Sequence, residues 1–115
     1  MRLTTSMKHN REFQRLYATG KSAVSGLLAV YCKRNRRGKN QLGITVGTKV
    51  GKAVQRNRVK RRLREIYRLH EHEVRRGFDI VVAARVRSRD VSYHQLERDF
   101  LHLLDKLGLR EDSPQ

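Results

Sequence analysis

Residues 43–68 read GITVGTKVGKAVQRNRVKRRLREIYR, and the spacing of the few apolar residues in the second half of this run admits one backbone geometry. Val59, Leu63, Ile66, Tyr67 and His70 recur at i, i+4, i+7, i+8 and i+11, one stripe of a 3.6-residue helix that begins near Ala53 or Val54. At about 100° per residue, Asn57, Arg58, Lys60, Arg61, Arg62, Arg64 and Arg68 occupy the rest of the circumference. Lys49, Lys52 and Arg56 add to the basic residues of the run, and Glu65 is its one acid. A fold built on this helix can bury only the stripe, so the cations must face outward. Like charges at this density raise the free energy of the compact state unless a polyanion neutralises them, which points to a nucleic acid partner.

The charge is uneven along the whole chain. The formal net charge is +16; residues 1–64 carry 18 Lys and Arg and one acid, Glu12, whereas residues 65–115 carry 9 Lys and Arg and 10 acids. One basic surface is therefore expected rather than a uniformly charged protein. With 115 residues, 37% of them hydrophobic, the chain can close one core and not two. A single domain over residues 1–109 is expected, with residues 110–115 as a flexible C-terminal tail. A membrane partner is disfavoured: the longest apolar run, residues 27–32, is far shorter than a bilayer span. Met1-Arg2-Leu3 leads into polar residues without the apolar stretch of a secretory signal. Cys32 stands alone, which leaves no partner for an internal disulfide, suits a reducing cytoplasm and reads as a buried strand thiol.

Local patterning predicts the other elements. Asn10 reads as an N-cap, followed by Phe13, Leu16 and Tyr17 at helical spacing, with Gly20 able to end the helix. Residues 21–33 are β-like, with Leu28, Val30 and Cys32 on one face and Ala29, Tyr31 and Lys33 on the other; Ser25-Gly26 can divide them into two strands. A basic, Gly-containing turn over residues 34–40 leads to a further strand with Leu42, Ile44 and Val46 on one side. Gly77 is expected to end the basic helix, and residues 78–84 (FDIVVAA) form the most apolar strand, hence a central one. Ser92 opens the last helix with Gln95 completing a capping box and Val91 stapled to Leu96. Leu96, Phe100, Leu103, Leu104 and Leu107 make its buried stripe, and Gly108 stops it. The order α-β-β-β-α-β-α predicts an α+β fold, a two-layer sandwich with its helices on one face of a single mixed sheet.

Sites of protein-borne chemistry fail on inspection. Gly51-Lys52 lacks both the glycine required at Val46 and the Ser or Thr required at Ala53 for a phosphate loop. Glycines 43, 47 and 51 instead suit a loop whose amides approach phosphate at a helix N-terminus. His70-Glu71-His72-Glu73 has the composition of a metal site, but residues i and i+2 diverge on a helix, so it reads as a solvated charged face. His9, His94 and His102 are scattered, and no Ser or Cys completes a triad with them. Phe13 and Tyr17 read as core on spacing alone. Tyr31 shares its strand face with Ala29 and Lys33; if Gly43 and Thr45 neighbour it, that face suits a stacked, unpaired base better than a packed helix.

The run Gly51-Lys52-Ala53-Val54-Gln55-Arg56-Asn57-Arg58-Val59-Lys60-Arg61-Arg62-Leu63-Arg64-Glu65 resembles the signature of the bacterial ribonuclease P protein-component family, including its Arg-Asn-Arg core. Leu42-Gly43-Ile44-Thr45-Val46, the Phe13-x3-Tyr17 helix and Gly77-Phe78-Asp79-Ile80-Val81 follow in the order that family has, so the resemblance covers roughly residues 2–107. It implies a sandwich with an unusual left-handed crossover, related to a domain shared by a ribosomal protein and elongation factor G. It also implies a division of labour. The RNA subunit is the catalyst and cuts precursor tRNA at its 5′ end with bound Mg2+, while the protein binds that RNA and grips the single-stranded 5′ leader. No cofactor bound by the protein alone, no membrane and no obligate protein partner are expected. By position, Arg56, Asn57, Arg58, Lys60, Arg61, Arg62 and Arg64 correspond to the face on the catalytic RNA, and Phe13, Tyr17, Tyr31, Lys49 and Lys52 to the leader cleft. Thr48 stands where many relatives have a second lysine, and Tyr17 where Phe is common. A structural ribosomal protein and a DNA-binding helix module are the competing readings. The first leaves the aromatic cleft unexplained; the second expects a narrower basic edge than this helix carries.

Overall fold

The computed structural model describes residues 3–111. Its elements are β1 (Thr4–Ser6), α1 (Asn10–Thr19), β2 (Lys21–Val24), β3 (Leu28–Arg34), β4 (Asn40–Val46), α2 (Ala53–His70), β5 (Phe78–Ala84) and α3 (Tyr93–Lys106). Short 3-10 turns over Thr48–Val50, Glu71–Glu73 and Val86–Asp90 join them. The strands form one mixed sheet in the order β1-β4-β5-β3-β2. β4 and β5 run parallel on either side of the α2 crossover, β3 pairs antiparallel with both β5 and β2, and β1 lies parallel to β4. This is the α+β class and the core element order that the patterning predicts, with β1 added at the front.

β1 carries no apolar alternation that would announce it. It is held by parallel pairing with β4 and by a buried hydrogen bond between Thr4 Oγ1 and the Tyr67 hydroxyl, 2.8 Å apart. Asn40 Nδ2 donates to the same hydroxyl at 3.3 Å. Three polar groups are thereby satisfied inside the core, where an unpaired one would cost about 1–3 kcal/mol.

The sheet separates two apolar layers. Leu28, Val30, Cys32, Leu42, Ile80 and Val82 face α2 and α3, whose stripes Val59, Leu63, Ile66, Tyr67 and Leu96, Phe100, Leu103, Leu104 are all buried. On the other face Val81 packs with Met7, Leu16, Phe13 and Tyr31. The expectation of helices on one face holds for α2 and α3 but not for α1, which covers the opposite face. The reason lies in one row across the sheet, where Tyr31, Val81 and Gly43 stand side by side. Gly43 offers no side chain, and the Phe13 ring fills the space: an ideal Cβ there would lie 2.5 Å from Phe13 Cε1.

The ends of the helices refine the sequence reading. Ser92 and Gln95 form the capping box that starts α3, with Gln95 N donating to Ser92 Oγ at 3.1 Å. At α1, His9 occupies the cap without a side-chain bond and Asn10 is the first helical residue. α2 stops at His70, well before Gly77, which instead turns the chain into β5 at φ +90. Of the expected tail, Arg110 forms a β-bridge with Val74 and Glu111 N donates to Glu73 O at 2.8 Å; residues 112–115 lie outside the described residues.

Candidate nucleic-acid interface

Helix α2 presents its basic arc to solvent as the stripe demands. Asn57, Arg58, Arg61 and Arg64 are exposed, and Val54, Asn57, Lys60, Arg61 and Arg64 line an open groove of about 460 Å3. Lys60 and Arg64 also edge a smaller hollow of about 150 Å3 shared with Phe13 and Gly43, which brings the α2 cations beside α1. Two of the arginines expected on this face have other partners. Arg56 Nε donates to Gly51 O at 3.1 Å, and Arg62 Nη1 donates to Val91 O at 3.1 Å, joining α2 to the segment before α3. Both flank the buried stripe on the helix circumference, so their stems run along packed surface. Arg68 pairs with Glu65 at 2.6 Å on the exposed side, a surface pair of small energetic weight.

Lys49 and Lys52 project from the loop that delivers β4 into α2, and both are exposed. The loop is held by side chains: Lys52 N donates to Gln55 Oε1 at 2.9 Å, and Arg89 Nη1 to Val50 O at 2.9 Å. Arg89 was not singled out in the sequence, because its role depends on a segment 39 residues away. The N-terminus of a helix and two nearby ammonium groups together suit an anionic ligand.

The aromatic cleft lies between α1 and the sheet face bearing Tyr31. The Tyr17 and Tyr31 rings meet edge to face, with centroids 4.9 Å apart and planes at 75°. Burial, and to a lesser extent the Tyr31 neighbour, push the Tyr17 hydroxyl above its ordinary pKa despite its hydrogen bond to the Thr45 side chain. Phe13 is partly buried over Gly43 and Val81, so it serves the core. Tyr17 remains 39% exposed. The bare floor expected around Gly43 is therefore half covered by a packed helix. What stays small is the next row, Val24, Ala29, Ala83 and Thr45, bordered by the two tyrosines. Val24 is 50% exposed at its edge; nothing in its local pattern distinguishes it from a core valine.

Of the His70-Glu71-His72-Glu73 cluster, His70 has structural partners. His70 is not solvated: its Nδ1 lies 2.7 Å from Glu73 and its Nε2 2.9 Å from Glu97. Burial alone would lower its pKa, but the bonds to Glu97 and Glu73 outweigh that and raise it. Among the described residues no group of three or more His, Cys, Asp or Glu is placed to hold a metal ion, and no helix is long and apolar enough to cross a membrane. Cys32 is buried, and burial pushes its thiol pKa up.

A cationic helix face beside an aromatic cleft, on an α+β sandwich, defines a class of small RNA-binding proteins. The family model described as Ribonuclease P matches residues 1–108. The chain belongs to that family, the protein subunits of a tRNA-processing endoribonuclease, and so associates with ribonuclease P RNA. It is 41% identical over 109 residues to the ribonuclease P protein component of Alkaliphilus oremlandii, covering 95% of this chain and 96% of that one. Against the ribonuclease P protein component of Clostridium botulinum the identity is 42% over 104 residues, covering 90% and 94%. The solved RNase P protein of Staphylococcus aureus superposes with a TM-score of 0.83 at 32% identity, covering 92% of this chain and 97% of that one. That of Thermotoga maritima gives 0.81 at 32% identity, covering 88% and 96%. The ribosomal-protein and DNA-module readings are not favoured.

Proposed function

We propose that the α2 face of Asn57, Arg58, Lys60, Arg61 and Arg64 rests on the phosphates of the catalytic RNA, while the cleft of Tyr17 and Tyr31 holds the unpaired 5′ leader of precursor tRNA. Arg56 and Arg62 belong to the same surface and hold its loops in place. Phe13 sets the depth of the cleft, and Lys49 and Lys52 neutralise leader phosphates at the α2 end. The observation that carries this reading is the tyrosine pair at 4.9 Å bordering a row of small side chains. Stacking on an aromatic face accepts any base, which a protein acting on many different leaders requires. In this division the protein supplies binding and orientation. Hydrolysis of the phosphodiester, and the Mg2+ it needs, belong to the RNA.

The test adds purified protein to the catalytic RNA and precursor tRNA at low Mg2+ and follows 5′ cleavage. Stimulated cleavage at the mature 5′ end, with none by protein alone, is the expected result. Specific cleavage by the protein alone, abolished by replacing one Asp, Glu or His, would overturn the division of labour.

A further inference from the structure

At the end of the sheet opposite Lys49 and Lys52 stands a second concentration of cations that the surfaces above do not use. β3 ends at Arg34, which pairs with Phe78 at the start of β5. A hollow of about 510 Å3 opens there, lined by Arg34, His72, Arg75, Arg76 and Phe78 among others, with Glu111 as the one acid among the described residues that line it. A hollow of about 370 Å3 adjoins it, sharing Arg34 and Phe78 and adding Lys21 and Lys33. The register from the Leu28–Ala84 pair to the Arg34–Phe78 pair puts this end about 20 Å from the β4–α2 loop, at about 3.4 Å per residue.

This surface differs from an ordinary solvated face in how its charges are held. The guanidinium groups of Arg34, Arg75 and Arg76 have no ion pair and no hydrogen bond to any described residue. Their backbone is nevertheless pinned. Asn35 N donates to Gly77 O and Arg75 N to Leu109 O, each at 2.7 Å, and Val74 bridges to Arg110. Three neighbouring carboxylates are engaged elsewhere, since Asp79 accepts from Asn35 Nδ2 at 2.9 Å and Arg110 lies 3.6 Å from Glu73 and 3.2 Å from Asp105; Glu111 faces the hollow. Three arginines thus stand on a held backbone around one hollow, with little compensating charge among the described residues, an arrangement whose self-repulsion an anion relieves. Arg forks match phosphate oxygens in two-point contacts. Phe78 sits between the two groups of cations and adds an aromatic surface, the combination that tracks an RNA strand.

We propose that Arg34, Arg75 and Arg76 form a second RNA-backbone site, so that the protein bridges two RNA segments about 20 Å or more apart. The proposal rests on the reading of α2 as an RNA face and extends it to the other end of the sheet. Two strands offer the same phosphodiester chemistry, the catalytic RNA and the precursor tRNA, and the test separates them.

The Arg34→Gln, Arg75→Gln, Arg76→Gln variant is titrated against salt in two arms: binding to the catalytic RNA alone, and binding of precursor tRNA to the assembled complex. Each lost phosphate contact lowers the log–log slope by about 0.7–0.9, so a fall of about 2–3 is expected in one arm, and that arm names the strand. The matching Arg→Lys variant should keep most of the slope, and the unfolding midpoint should not move. An Arg58→Ala, Arg61→Ala protein run alongside reports on α2. Loss of slope there, with none in either arm for the Gln variant, overturns the second site alone. No loss for either protein overturns the α2 reading as well. A Gln variant that binds weakly with an unchanged slope and a lowered midpoint makes the three arginines structural and also sinks the proposal.

Discussion

A methyl group on Gly43 is the smallest change that tests how α1 sits on the sheet. An ideal Cβ at this position lies 2.5 Å from Phe13 Cε1, 2.6 Å from Phe13 Cζ and 3.3 Å from Met7 Cβ. Carbon atoms in comfortable contact stand about 3.5–4.0 Å apart, so the Phe13 ring must retreat by about 1 Å. It cannot do so freely, because Leu16 of the same helix is 2% exposed and packed with Val81. Overpacking of this kind costs about 1–3 kcal/mol, partly offset by the roughly 0.5–1 kcal/mol that Ala gains over Gly within a strand. Gly43→Ala should therefore lower stability in urea melts by about 0.5–2 kcal/mol. In a Phe13→Ala background the clash is gone, and the same change should become neutral or mildly stabilising. The double-mutant cycle isolates a coupling of about 1–3 kcal/mol between the two positions. An equal loss from Gly43→Ala in both backgrounds would refute the argument, since the cost would then arise from the strand itself and not from Phe13.

Other expectations follow from the same geometry. Tyr31→Ala should weaken precursor tRNA binding to the assembled complex by about 1–3 kcal/mol, the usual worth of one base–aromatic stack, and leave mature tRNA almost unaffected. Tyr31→Phe should keep the precursor-to-mature ratio, and equal losses for both tRNAs would place Tyr31 outside the leader path. Replacing Arg58 and Arg61 by Ala should reduce the salt slope for catalytic RNA by about 0.7–0.9 per lost contact without shifting the melting temperature. Arg62→Ala should instead lower thermal stability, because Val91 O loses its donor; identical behaviour of all three positions would contradict the division. His70 has a pKa raised above its ordinary value, so its stabilising effect is fully present below the unfolded value of about 6.5 and is lost as pH rises through the higher folded one. Melting temperature should fall across that window, and His70→Gln should flatten the fall; an unaltered profile would remove His70 as its source.

Much of this protein was readable locally. The spacing of Val59, Leu63, Ile66 and Tyr67 identified α2 and its buried side, and the same arithmetic placed Arg58, Arg61 and Arg64 outside, where they are. Ser92 and Gln95 marked the start of α3 because a capping box satisfies amides within four residues of chain. Alternation divided β3 into a core face and a face bearing Tyr31. Such features are legible because periodicity and capping depend on neighbours in sequence.

The rest depends on neighbours in space. β1 is held by pairing with β4 and by the hydrogen bond between Thr4 and the Tyr67 hydroxyl, 63 residues away, and no pattern in Thr4-Thr5-Ser6 could announce that. Spacing marked Phe13 and Leu16 as one side of a helix, yet which face of the sheet they would meet was decided by the gap above Gly43. Arg56 and Arg62 look like their exposed neighbours in composition, and only the packed loops give them carbonyl partners. The hollow around Arg34, Arg75 and Arg76 is likewise assembled across about 40 residues by the pairing of β3 with β5. The sequence by itself determined which surfaces are apolar, basic or aromatic, because these are sums over local side chains. Only the tertiary structure decided which of them face one another, because long-range pairing is selected by shape and by buried hydrogen bonds that no short stretch of the chain contains.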